Sequence, residues 1–272
     1  MKILPTLLRD AILLIVSLIP TLASALDFSV SHTNPFTRRE DPIDYFVLSG
    51  EIRPGDYDRM MQFAITNRLN LIGDTFVLKS PGGDVSEAMA IGQFVKSIYA
   101  QVGVGPAYGP CASSCFIIVA SAVKRWIEPG LLGIHRPYIA PERTRVLSPT
   151  VAEALELKAM ANAESYLRSL RVPSSIIDTM FANSSEEIHW LTEGELERLG
   201  LRAPWFQEYV LAQCGLSAEK EKAGLSSAEG SAANIEIKNL YACEANATYH
   251  DAAVNWNMAL KRYGHSYPVP KE

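Results

Sequence analysis

TFVLKSPGGDV, residues 75–85, is the stretch from which the fold can be read. Residues 75–79 read as a strand that runs straight into Ser80-Pro81-Gly82-Gly83. The chain then enters a helix with Val85, Ala88, Gly92, Val95 and Tyr99 on one face, in steps of three and four. Upstream, residues 44–52 (DYFVLSGEI) read as another strand, followed by helical spacing over 54–68. Downstream, 101–104 is a short strand. Gly105-Pro106 and Gly109-Pro110 then make a turn-rich approach to residues 111–122, small and apolar throughout, as expected of a buried helix. Strands at 124–127 and 131–134 flank Pro129-Gly130. Ser148-Pro149 is a helix start, with serine as N-cap and proline at the first helical position, and that helix is expected to reach Leu170. Alternating strands and helices of these lengths predict an α/β domain with a largely parallel sheet.

Composition agrees with a globular protein: 272 residues, 48% hydrophobic and 20% charged. A formal net charge of −5 gives no basic excess, which argues against a nucleic-acid partner. At the N-terminus, Lys2 and Arg9 precede an apolar run that ends in Ala23-Ser24-Ala25, the pattern of a cleaved signal peptide over 1–25. The run is about a dozen residues, short of the roughly 20 that span a bilayer, so no stable membrane anchor is expected after cleavage. The expected location is periplasmic or secreted. The expected domain runs over 26–213; beyond it the composition shifts to Ala, Ser, Glu and Lys, predicting a linker and a helix at 247–262 as a small C-terminal extension over 214–272.

An oxidising compartment favours disulfides. Among the three possible pairings of four cysteines, the local one is preferred: Cys111 with Cys115, and Cys214 with Cys243 across a segment that would otherwise be floppy. Paired C-x-x-C spacing is absent from the sequence, so no metal site and no cofactor are predicted.

Three features carry chemistry. A strand ending in Pro-Gly-Gly exposes backbone N–H groups where a ligand can approach closely, able to hold an oxyanion. Asp84-Val85 replaces the Lys-Ser/Thr of a phosphate loop, which disfavours that alternative. Cys111-Ala112-Ser113-Ser114-Cys115 places a hydroxyl at a helix start, where free N–H groups favour developing negative charge. His135 ends an apolar strand, a position suited to a general base. Each feature has an ordinary structural explanation alone; their order along the chain outweighs those explanations.

These residues resemble the proteolytic subunit of Clp protease and its relatives in the Clp/crotonase superfamily, and look closest to an exported bacterial Clp-like branch. The resemblance runs over residues 44–201. It is carried by Ser80 to Gly83, Gly109-Pro110-Cys111-Ala112-Ser113, the strand from Arg125 to Pro129, Gly133-Ile134-His135-Arg136-Pro137, and Trp190-Leu191-Thr192 to Gly200-Leu201. It implies a repeated strand-strand-helix spiral core, Ser113 as nucleophile and His135 as base. The implied oxyanion donors are the N–H groups of Gly82 or Gly83 and of Ser114. Strict register puts Ile188 where the family has an aspartate, leaving Glu187 as the favoured third member and Glu186 as its neighbour. A serine-lysine dyad through Lys158, as in related signal peptide peptidases, is the rival arrangement.

The implied activity is ATP-independent hydrolysis of peptides or unstructured protein segments. The alternative is a catalytically inactive relative that serves in binding or assembly. Acyl-thioester chemistry of the crotonase kind is the weakest option, because coenzyme A is not expected outside the cytoplasm. Family members form rings or trimers, so a homo-oligomer is a further expectation.

Overall fold

The computed structural model describes residues 25–139 and 145–268. The expected signal peptide, Ala25 apart, lies outside the described residues. Strand β1 (Asp27–Thr33) pairs antiparallel with β2 (Glu40–Ser49). Then β2, β3 (Thr75–Lys79), β4 (Gln101–Val104) and β6 (Lys124–Ile127) run parallel, in the order β1-β2-β3-β4-β6. Phe46, Phe76 and Val102 sit side by side across three strands and are buried, as are Val47, Leu48, Val77 and Leu78. Near-continuous apolar runs of this kind belong to a parallel sheet covered on both faces.

A second, smaller sheet joins β5 (Cys111–Ala112), β7 (Leu132–Ile134) and β8 (His189–Trp190). Bridges between Ile52 and Gly83 and between Ser80 and Cys111 lie beside it in the chain path. The segments that leave the large sheet thus make a second, short pairing before each helix. The β4 segment passes through β5 into α3 (Cys115–Ser121), and β6 passes through β7 towards α4 (Pro149–Ser169). In the same way β2 leads through Ile52 to α1 (Asp56–Thr66), and β3 leads through Ser80 to Gly83 into α2 (Val85–Ser97). This is a mixed α/β fold with a largely parallel sheet and a strand-strand-helix repeat. Every repeat brings its second pairing to one region of the molecule, where the site is built.

Two expectations need correction. The helix expected over 111–122 begins only at Cys115, because Cys111 and Ala112 pair with Leu132 and Gly133 as strand β5. The stretch expected to be a linker is helical. After α5 (Ser174–Ala182), α6 (Glu193–Leu199) and α7 (Pro204–Cys214) come α8 (Ala218–Leu225) and the long α9 (Ala232–Lys261), which starts well before residue 247.

Tertiary contacts explain these C-terminal helices. Ala203, Phe206, Val210, Leu216 and Ile237 form a second core with Val123. The Cys214–Cys243 disulfide ties α7 to α9. Arg202 donates to both carboxylate oxygens of Glu221 at 2.8 Å and to Glu244 at 2.7 Å, while the Lys124 ammonium stands 3.7 Å from each acid. Two cations and two carboxylates balance in a buried cluster. Trp256 of α9 joins the main core against Phe94 of α2, ring centres 5.7 Å apart, and Asn255 donates to the Ser97 carbonyl at 2.8 Å. Among the described residues no helix is long and apolar enough to cross a membrane.

Candidate functional site

At the end of β3 the Ser80 N–H donates to Pro110 and the Ser80 carbonyl accepts from Ala112, so the glycine turn lies alongside β5. Gly82 and Gly83 both adopt positive φ, 94° and 143°. No other residue fits: a Cβ on Gly83 would lie 2.0 Å from the Ile52 carbonyl oxygen, and one on Gly82 would lie 2.5 Å from Ser113 Cβ. Ile52 donates to the Gly82 carbonyl and accepts from Asp84, each at 2.8 Å, and Asp84 caps α2 through the Glu87 N–H.

The chain leaves β5 into Ser113, which stands at φ 58°. A left-handed conformation costs a non-glycine residue on the order of 1–2 kcal/mol and persists only where its surroundings impose it. Here the Ser113 N–H donates to the Gly133 carbonyl at 3.0 Å, and the Ser113 carbonyl accepts from Phe116 at the same distance. The Cys111–Cys115 disulfide brackets the turn, so both preferred cysteine pairings are present. Ser113 is half-buried and faces the cleft described below, whereas Ser114 is buried and its Oγ has no hydrogen-bond partner among the described residues.

His135 follows β7 and is 5% exposed. Its Nδ1 lies 2.9 Å from the Arg136 carbonyl oxygen, with the Tyr138 ring centre 5.9 Å away. A carbonyl oxygen only accepts, so Nδ1 carries the proton and the lone pair of the neutral ring resides on Nε2.

Ser113, His135, Gly82 and Gly83 line one cleft of 920 Å³, together with Lys158, Tyr138, Leu155 and other residues. No hydrogen bond joins the Ser113 hydroxyl to His135 in this arrangement; such contacts often tighten only when substrate binds. The Gly82 N–H is already engaged by Ser80 Oγ at 3.0 Å. Of the two glycines, it is therefore Gly83 whose N–H has no acceptor among the described residues, and the Ser114 N–H has none either. The donor pair left open is Gly83 with Ser114.

Glu187 is not brought to His135. It is exposed, forms no hydrogen bond or ion pair with a described residue, and the Nδ1 position it was expected to serve is taken by the Arg136 carbonyl. Strand geometry explains this. In the antiparallel pairing of β7 with β8, Ile134 faces His189, and the same register continued by one residue sets Ile188 across from His135. A period of two turns Glu187 the other way. Glu186 is exposed as well. Lys158, which periodicity left open, lines the cleft from α4.

Two contributors escaped notice in the sequence. Ser80 holds the Gly82 amide, a serine-to-i+2 contact common in turns, and the Ser-x-Gly spacing was its signal. Ile52 braces the glycine turn from thirty residues upstream, and nothing local announces that.

No protein-family model matches the chain, and no curated protein matches it in sequence. Solved structures are similar to it. A ClpP1 variant from Listeria monocytogenes is 18% identical over 58% of this chain and 88% of its own, with a TM-score of 0.42. A variant of the 1510-N membrane-bound stomatin-specific protease is 17% identical over 59% of this chain and 77% of its own, with a TM-score of 0.36.

Proposed function

We propose that this chain is a serine hydrolase acting on peptides or unstructured protein segments. One observation carries the proposal: Ser113, held at φ 58°, lines the same cleft as His135 and the glycine turn. Two backbone N–H groups beside it, of Gly83 and Ser114, have no acceptor among the described residues. In the mechanism, Ser113 Oγ attacks the scissile carbonyl while His135 Nε2 takes its proton and returns it to the leaving amine. Gly83 and Ser114 hold the oxyanion, and water then releases the acyl group by the same steps. The Arg136 carbonyl orients the ring in the role usually given to a carboxylate. It supplies a dipole rather than a charge, so the imidazolium is less stabilised and modest turnover is expected.

A second arrangement has an observation in its favour: Lys158 lines the cleft, and among the described residues no carboxylate bonds His135 Nδ1. In it the lysine amine, rather than the imidazole, takes the Ser113 proton. Two disulfides support a working location outside a reducing cytosol.

Labelling with a fluorophosphonate probe tests the proposal. The expected result is a covalent adduct on Ser113 that is lost in Ser113→Ala, with hydrolysis of unstructured peptides lost in parallel. A folded protein that neither labels nor cleaves overturns the proposal and leaves a binding or assembly role.

A further inference from the structure

We infer that Cys111 and Cys115 are positioning residues for the hydrolytic site: their disulfide holds Ser113, which lines the cleft, in its left-handed conformation. The inference rests on the serine-hydrolase proposal for its kinetic consequence, but not for its structural one.

Cys111 belongs to β5, where its N–H donates to the Leu131 carbonyl, and Cys115 is the first residue of α3. Between them lie only Ala112, Ser113 at φ 58°, and Ser114 in right-handed helical conformation. Without a link, a serine at that φ gains by relaxing to the right-handed region and lengthening α3 backwards. That relaxation would pull Ser113 from the Gly133 carbonyl and swing both its hydroxyl and the Ser114 amide. A regular helix holds the Cβ atoms of residues four apart about 5–6 Å from each other, wider than the roughly 3.5–4.5 Å a disulfide spans, so the Cys111–Cys115 bridge opposes that relaxation. No side chain caps α3, which leaves the bridge as the covalent hold on the start of that helix.

Both cysteines are 0% exposed, so the bridge is a constitutive brace rather than a switch open to passing thiols. Its loop is also short. A cross-link between residues four apart restrains the unfolded chain far less than one between residues 29 apart, as in Cys214–Cys243. The first bridge should therefore matter locally, and the second globally.

The test compares Cys111→Ala/Cys115→Ala with Cys214→Ala/Cys243→Ala in the full mature protein. The first pair is expected to keep its circular dichroism and most of its Tm, yet lose about 100-fold in kcat and in labelling rate with little change in KM. Amide exchange at Ser113 and Phe116 should quicken while exchange in the large sheet does not. The second pair should lower Tm more and leave the labelling rate intact. Unchanged labelling and unchanged exchange in the first pair would overturn the inference. If wild type itself does not label, the hydrolase proposal falls and the exchange measurement alone decides the brace. Should the alanine pair not fold, Cys111→Val/Cys115→Ala refills part of the lost volume and carries the same readouts.

Discussion

Gly82 stands directly against Ser113: a β-carbon on the glycine would lie 2.5 Å from Ser113 Cβ and 2.9 Å from the Ser114 nitrogen. The glycine turn and the serine turn are therefore one packed unit. Gly82→Ala must displace the serine or distort its own backbone, already at φ 94°. The expected outcome is a loss of about 1–3 kcal/mol in urea unfolding, with probe labelling down by about 100-fold.

Substitution of the two candidate bases separates the mechanisms. His135→Gln is expected to lower kcat by about 100- to 10,000-fold, and Lys158→Met to change it little. Steady-state kinetics on an unstructured peptide gives the comparison, and the reverse pattern would assign the base to Lys158.

Asp74, just before β3, has its carboxyl pushed up to about 7, first by burial and then by the nearby Asp44. The folded state therefore holds this proton more tightly than the unfolded chain does. The sign follows: stability falls as pH rises from about 4 to about 7, and the penalty is complete above that range. Asp74→Asn should raise Tm at pH 8 and alter it little at pH 4, which differential scanning calorimetry at the two pH values measures.

The buried cluster around Arg202 predicts an unequal response to removing acids. Glu221→Ala leaves Arg202 and Lys124 buried with one carboxylate between them, and should cost about 3–5 kcal/mol. Glu236→Ala removes an exposed partner of Lys220 and should cost at most about 1 kcal/mol. Urea titrations of the two variants check the contrast.

Local signals that coincide with tertiary ones were legible in the sequence. Residues 75–79 form a strand as expected, because an apolar run bounded by glycine and proline is also buried, and residues 124–127 form one just ahead of the Pro129-Gly130 turn. Ser148 caps α4 through the Val151 N–H, a contact decided within four residues. The order of glycine turn, serine and histidine placed three elements at one cleft. Cys111 and Ala112 carry the small apolar composition of the helix that follows, while the partners that make them a strand, Leu132 and Gly133, are some twenty residues away. The region after residue 214 looked like a linker because its polar composition hides contacts made through Arg202, Phe206 and Val123. Glu187 lies next to Ile188 along the chain, but a period of two turns it to the opposite face.

The docking of α9 limits how this protein can be cut and reused. Trp256, Ala259 and Leu260 belong to the same core as Phe94 of α2, the helix that starts at the glycine turn. A shortened version ending near residue 213 would expose that core to water and remove the hydrogen bond to Ser97. The proposed active site is therefore not a portable cassette: grafting it into another chain means carrying the last long helix along with it.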